Sequence, residues 1–173
     1  MKRFVLIFAL AFTTAASSAV AAGCPSENLV MGAGRAFTAA SRSGSASAFL
    51  NAASRYADTR GIAMSALGPH RKKLSKAQEG EYVRLAQNFM GRFMAQYSSR
   101  FNASGMKVTN CSGNLVTVAG GGGRKIIFRV GGGRVQDVNV SSVWLAGQMR
   151  STFVGVLNRN NGDIKALLDY LRG

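Results

Sequence analysis

Hydrophobic residues recur every three or four positions along most of the chain. The longest such run spans residues 75–101. Within it Tyr82, Leu85, Phe89, Phe93 and Tyr97 share one helical face, and Met90, Met94 and Phe101 widen it. Ser75 followed by Gln78 is a capping-box pattern, in which each side chain satisfies a backbone N–H at the helix start. At 1.5 Å per residue this helix would be roughly 40 Å long. A face so rich in Phe, Tyr and Met must be covered by something large and apolar, either protein alone or protein and a ligand.

The same periodicity predicts three helices before it. Ser26 stands where it can cap the first, which carries Leu29, Val30, Ala33, Phe37 and Ala40. Residues 41–47 read as a polar loop, and a short second helix follows with Phe49, Ala52 and Tyr56 inward. Asp58 caps a third with Ile62, Ala63, Ala66 and Leu67 on one side, and Gly68-Pro69 stops it. Residues 70–74 read as a linker. After residue 101 the pattern changes to period two. Residues 106–110, 114–119, 125–130 and 134–140 read as strands, the last two joined by three glycines in a hairpin signal. Ser141 or Ser142 is placed to cap a helix with Val143, Leu145, Met149, Phe153, Val156 and Leu157 inward. Asn160-Asn161-Gly162 breaks it, and Asp163 caps a last helix with Ile164, Leu167, Leu168 and Leu171 inward. Helices, a meander of about four strands, then helices again predict an α+β fold with helices packed over a curved antiparallel sheet.

Composition changes the picture at the N-terminus. Lys2 and Arg3, the apolar run at 4–12 and the small residues Ala19-Val20-Ala21 read as a cleaved signal peptide over residues 1–22. Residues 23–173 are then expected to form one exported domain, in the periplasm. The 173-residue chain carries a formal charge of +15. A charge of that sign and size favours an anionic partner, and export favours a transient anionic membrane surface over DNA. Scattered basic residues on a solvated surface account for the charge equally well. In an oxidising compartment, Cys24 and Cys111 form one disulfide on the simplest reading. Residues 21–24 also loosely match a lipobox, without its usual Leu, and that alternative would place a lipid anchor on Cys24.

Little in the chain looks catalytic. His70 is the only histidine and sits beside Arg71, Lys72 and Lys73. The seven acidic residues are scattered, which is not the grouping a metal site needs. Gly120–Gly123 followed by Arg124-Lys125 lacks the Gly-Lys-Ser/Thr ending of a phosphate loop. Gly32-Ala33-Gly34 falls in a helix pattern and reads as a close-packing site. The strands hold almost no aromatic residue beyond Phe128, so a stacking platform for nucleic acid is not expected. No enzyme activity and no cofactor are expected, and a monomer is.

Several ordered segments resemble one family. They are Ala66-Leu67-Gly68 with its basic turn, Ser75-x-x-Gln78 and the aromatic helix to Tyr97. Further on come residues 135–140, Ser142-Val143-Trp144-Leu145, residues 148–153, and the close from Gly162-Asp163-Ile164 to Leu171. Together, over about residues 49–172, they are similar to the MlaC or toluene-tolerance (Tol-type) family of periplasmic phospholipid-binding proteins, which includes a branch associated with hopanoid biosynthesis. The resemblance implies a fold that encloses an apolar cavity. It implies a shuttle that carries phospholipid, or another amphipathic lipid such as a hopanoid, between an outer-membrane lipoprotein complex and an inner-membrane ABC transporter complex. The lining is then expected from Leu67, Tyr82, Phe89, Phe93, Tyr97, Val140, Trp144, Leu145, Met149 and Phe153. The family's Asp and Arg fall on Asp137 and Arg150, as lipid contacts or as structural pairing and capping groups. The chain departs from the family at Pro69-His70-Arg71, where an aromatic is usual, and in a short, glycine-rich sheet. Two other classes compete: an exported basic adaptor that docks on anionic surfaces or an acidic partner without a lipid cavity, and a hydrolase built on His70.

Overall fold

The computed structural model describes residues 24–100, 105–120 and 125–173. The segment expected to be a signal peptide, most of the turn at 102–105 and most of the glycine loop at 120–123 lie outside the described residues. The helices are α1 (Glu27–Ser43), α2 (Ala46–Tyr56), α3 (Thr59–Ala66), α4 (Lys76–Gln96), α5 (Leu145–Arg159) and α6 (Ile164–Arg172). The strands are β1 (Lys107–Ser112), β2 (Leu115–Ala119), β3 (Lys125–Gly131), β4 (Arg134–Val140) and β5 (Val143–Trp144). The strands form one antiparallel meander in the order β1-β2-β3-β4-β5. The fold is α+β, with helices packed over one face of the sheet. Among the described residues, no helix is long and apolar enough to cross a membrane.

Local chemistry explains most element ends. Ser75 Oγ accepts from the Gln78 backbone N–H while the Gln78 side chain accepts from the Ser75 N–H, completing the capping box of α4. Asp58 caps α3 through the Gly61 N–H, and Asp163 accepts from the Lys165 N–H at the start of α6. Gly132 and Gly133 both take positive φ, which the tight right-twisted hairpin between β3 and β4 requires.

Five local expectations give way to tertiary structure. Ser26 makes no side-chain capping bond. The polar loop at 41–47 contracts to Gly44 and Ser45: α1 runs on to Ser43, and Ser45 caps α2 through the Ala48 N–H. The linker after Gly68 is a 3-10 turn, Gly68–Lys73, held to the end of α5 by His70 Nε2 and Asn158 Oδ1 at 3.0 Å. The aromatic helix ends at Gln96, earlier than residue 101, and a 3-10 turn at Ser98–Arg100 follows. Ser141 and Ser142 cap nothing; both take positive φ in a tight turn that folds a fifth strand, β5, back on β4. Val143 thus leaves the inward helix face and is exposed on a sheet edge.

The buried side chains form one continuous core between helices and sheet. Val116, Val118, Ile126, Phe128 and Val138 supply the sheet's share. One side of α4 packs against α2, where Gly91 lets the backbones close: a Cβ there would stand 2.5 Å from the Ala46 carbonyl oxygen. Gly34 similarly accepts the tip of Met106 from beside the sheet, so the glycines of α1 are close-packing positions. Cys24 and Cys111 form a disulfide that ties the residues before α1 to β1. Irregularities in register between Val108 and Asn110, and between Arg129 and Val130, bend β1 and β3.

Three arginines from other elements serve the ends of helices. Arg134 donates to the carbonyls of Ser54 and Ala57 at the end of α2. Arg150 donates twice to Ser65 in the last turn of α3, and Arg92 donates to Leu171 in α6. Each supplies a donor and a positive charge where a helix exposes unpaired carbonyls and the negative end of its dipole. Replacing Gly91 with Ala should push α2 off α4 and lower the unfolding free energy by about 1–3 kcal/mol. Denaturant unfolding of Gly91→Ala against the unaltered protein would measure it, and an unchanged midpoint would show that the helices separate freely.

Candidate functional site

The aromatic face of α4 emerges gradually from the core. Tyr82 is fully buried, and its hydroxyl donates to the Ala63 carbonyl at 2.6 Å. Phe89 and Phe93 are half-buried, and Tyr97, just past the helix, is 37% exposed. The rings form a connected row. Phe153 of α5 meets Tyr82 edge-on at 6.3 Å and Phe89 at 5.1 Å; Phe89 stacks with Phe93 at 6.3 Å, and Phe93 tilts against Tyr97 at 4.8 Å. Such ring spacings are favourable beyond simple area burial.

Where the row comes into the open, α4, β4, β5 and α5 do not close on one another. They leave an apolar pocket of about 210 Å³. Phe93, Met94 and Tyr97 form one wall, Val138, Val140 and Val143 the sheet wall, and Leu145 and Gln148 the wall from α5. Among the described residues, Gln148 is the one lining side chain able to hydrogen-bond other than the Tyr97 hydroxyl. On the other flank of Phe93 lies a second recess of about 370 Å³, between α4 and the end of α6. Phe89, Arg92, Phe93, Gln96, Tyr170 and Gly173 line it.

Of the ten residues expected to line a site, the structure brings Phe93, Tyr97, Val140 and Leu145 together around the first pocket and places Phe89 in the second recess. Leu67, Tyr82, Met149 and Phe153 are wholly enclosed in the packed core. Trp144 turns to the opposite side of the sheet from Val143, where the Arg129 guanidinium lies 4.4 Å from its ring centroid. Met94, Val138, Val143 and Gln148 complete the lining and stand outside the expected list, although Met94 belongs to the apolar face of α4 that the sequence already marks. Val138 follows Val140 at period two, so strand alternation alone could have found it. Val143 and Gln148 have no such signal, because β5 exists only through its pairing with β4.

Asp137 and Arg150 act structurally. The Asp137 carboxylate on β4 accepts from its neighbour Val138 N–H at 2.9 Å and from Ala146 N–H in the first turn of α5 at 3.0 Å. It therefore caps a helix whose own N-cap residue, Trp144, contributes no side-chain bond. Burial pushes its pKa above the ordinary 3.8, while those two bonds and the nearby Arg129 pull it back. His70 lies ahead of the N-terminal end of α4, on a turn held to Asn158 near the end of α5, whereas the pocket is lined by the first turn of that helix. Among the described residues, no three His, Cys, Asp or Glu side chains gather as metal donors would.

Helices over one face of an antiparallel meander, with an apolar pocket at the seam between the layers, define an α+β protein whose opening is hydrophobic. The family model described as MlaC protein matches residues 31–173, and the chain belongs to that family. Among solved structures it is similar to a phospholipid-binding protein from Ralstonia solanacearum in complex with a phospholipid. The TM-score is 0.63 at 16% identity, over 84% of this chain and 91% of that one. That likeness shows a shared fold. No curated protein shows significant sequence similarity to the chain.

The raised pKa of Asp137 has a definite sign. The folded carboxyl holds its proton to higher pH than the unfolded one, so the stability it contributes is fully present below about 3.8 and is lost as pH rises through the raised value. Asp137→Asn does not titrate. The unfolding free energy of the unaltered protein should therefore fall relative to Asp137→Asn as pH rises above about 3.8, as read by urea denaturation. A gap that widens in the other direction would mean that the capping bonds outweigh burial.

Proposed function

We propose that this protein is a periplasmic, non-catalytic lipid carrier. It binds phospholipid, or a related amphipathic lipid such as a hopanoid, with hydrocarbon chain in the pocket between α4, β4–β5 and α5. Its partners on this reading are an outer-membrane lipoprotein complex, an inner-membrane ABC transporter complex and, transiently, an anionic membrane surface. It travels between the membranes as a monomer, after removal of residues 1–22.

The observation that carries the reading is the pocket itself: an aromatic row that is sealed in the core at one end and opens on an apolar pocket at the other. A folded protein gains by covering such surface, and a hydrocarbon chain would cover it where no side chain does. Met94 suits the wall, since a flexible thioether adapts to chains of varied shape. Membership of the MlaC family and the phospholipid held by the Ralstonia solanacearum protein on the same fold support the same reading. A basic adaptor without a lipid site has less support, because it gives the pocket no role.

Lipid extraction and native mass spectrometry of protein purified gently from a membrane-containing host should find one co-purified amphiphile per chain; a bare polypeptide would count against the carrier reading. Phe93→Glu should cut bound lipid at least several-fold, because a charge in the pocket must be desolvated when a chain enters. Phe93 is half-exposed, so the fold should survive the change with a thermal midpoint close to that of the unaltered protein. Phe153→Ala, in contrast, should destabilise by about 3–5 kcal/mol, since that ring is fully buried between helices.

A further inference from the structure

The first pocket is small for the ligand class it serves. At about 210 Å³ it falls below the roughly 300–1,000 Å³ typical of ligand sites. The second recess, about 370 Å³, shares the Phe93 ring as a wall. Its other walls are Phe89 and Tyr170, whose rings lie 6.3 Å apart, with Arg92 and Gln96 toward solvent. Tyr170 is 45% exposed, one of three large hydrophobic residues so placed among the described residues; the other two, Tyr97 and Val143, border the first pocket. Among the described residues, these three large exposed apolar side chains all lie on the two recesses flanking one aromatic side chain.

We infer that Phe93 is the divider of a single two-armed groove, and that a two-chain lipid lays one hydrocarbon chain in the first pocket and the other in the recess between α4 and α6. This rests on the lipid-carrier reading and deepens it. The second arm adds about 370 Å³ to a first pocket that alone falls short of the volume typical of ligand sites. Phe93 suits a divider: it stands on the last turns of α4, half-buried, with apolar space on both flanks. The aromatic row from Phe89 to Tyr97 then runs unbroken from one arm to the other and gives both chains a common floor. A single-chain lipid would use the first pocket alone, because its walls come from four elements of the fold rather than two. The C-terminal helix α6 thereby acquires a binding role, as the outer wall of the second arm.

Two exposed positions separate the arms without disturbing the core. Gln96 borders only the second recess and Gln148 only the first, and both face solvent. Gln96→Trp should fill the second arm, and Gln148→Trp the first. The measurement is binding of a diacyl phospholipid and its single-chain lyso form, with the same headgroup, by native mass-spectrometric titration of delipidated full-length protein. Gln96→Trp should weaken diacyl binding at least tenfold and leave lyso binding within about twofold. Gln148→Trp should weaken both. Diacyl binding unchanged in Gln96→Trp, or diacyl and lyso falling alike, would overturn the two-armed groove. Thermal midpoints matching the unaltered protein would show that either loss is not unfolding. If the unaltered protein binds neither lipid, the carrier reading itself fails, a result distinct from any pattern among the variants.

Discussion

The structure depends on how the apolar surface of α4 is covered. Its two apolar flanks must be buried by different partners. Val83, Ala86, Met90 and Gly91 are closed off on one side, where α2 approaches to backbone distance at Gly91. Tyr82 and the inner edge of Phe89 are closed off by α3 and by Phe153 of α5. Burying one such large side chain stabilises by about 1.5–3 kcal/mol, so the helices that cover this face are held by it more than by their own short lengths. The cover runs out near Phe93 because α5 starts at Leu145, level with the end of α4, and the sheet edge at β5 is only two residues long. The pocket is thus where the covering elements end.

Charge in this chain divides between structure and surface. Arg92, Arg134 and Arg150 hold together elements far apart in sequence by donating to helix-terminal carbonyls. The exposed pair of Arg172 with Glu81 contributes little, as surface ion pairs do. Arg71 and Lys72 project from the 3-10 turn ahead of α4, at the end of that helix away from the pocket. A strong net positive charge is therefore not one feature. Part of it is internal scaffolding, and only the remainder is available to an anionic partner.

Asp137 shows how sheet and helix layers are registered. A carboxylate on β4 does the work that Ser141 and Ser142 are positioned to do by sequence alone. Those serines are drawn into a left-handed turn so that β5 can pair with β4, and the helix start moves to Leu145. That shift brings Leu145 and Gln148 to the pocket wall and leaves Val143 at its rim. The mouth of the site follows from one capping bond across two elements.

The α+β class, the order of helices and strands, the α4 capping box, the Asp58 and Asp163 caps and the Gly132-Gly133 hairpin are all legible in the amino-acid sequence. Each is decided within a few residues, by hydrogen bonds and steric limits that belong to the local chain. The aromatic stripe too is a sequence property, because helical spacing puts those residues on one face wherever the helix lies. Which of them stay uncovered is not. Tyr82 and Phe93 occupy the same stripe, yet one is sealed and the other stands between two recesses, because elements some fifty residues further along the chain cover only one end. The side of the sheet that Trp144 takes, the role of Asp137 and the extra strand β5 likewise depend on pairing between distant segments. Only the tertiary structure could decide them, because burial and pairing are properties of which segments meet.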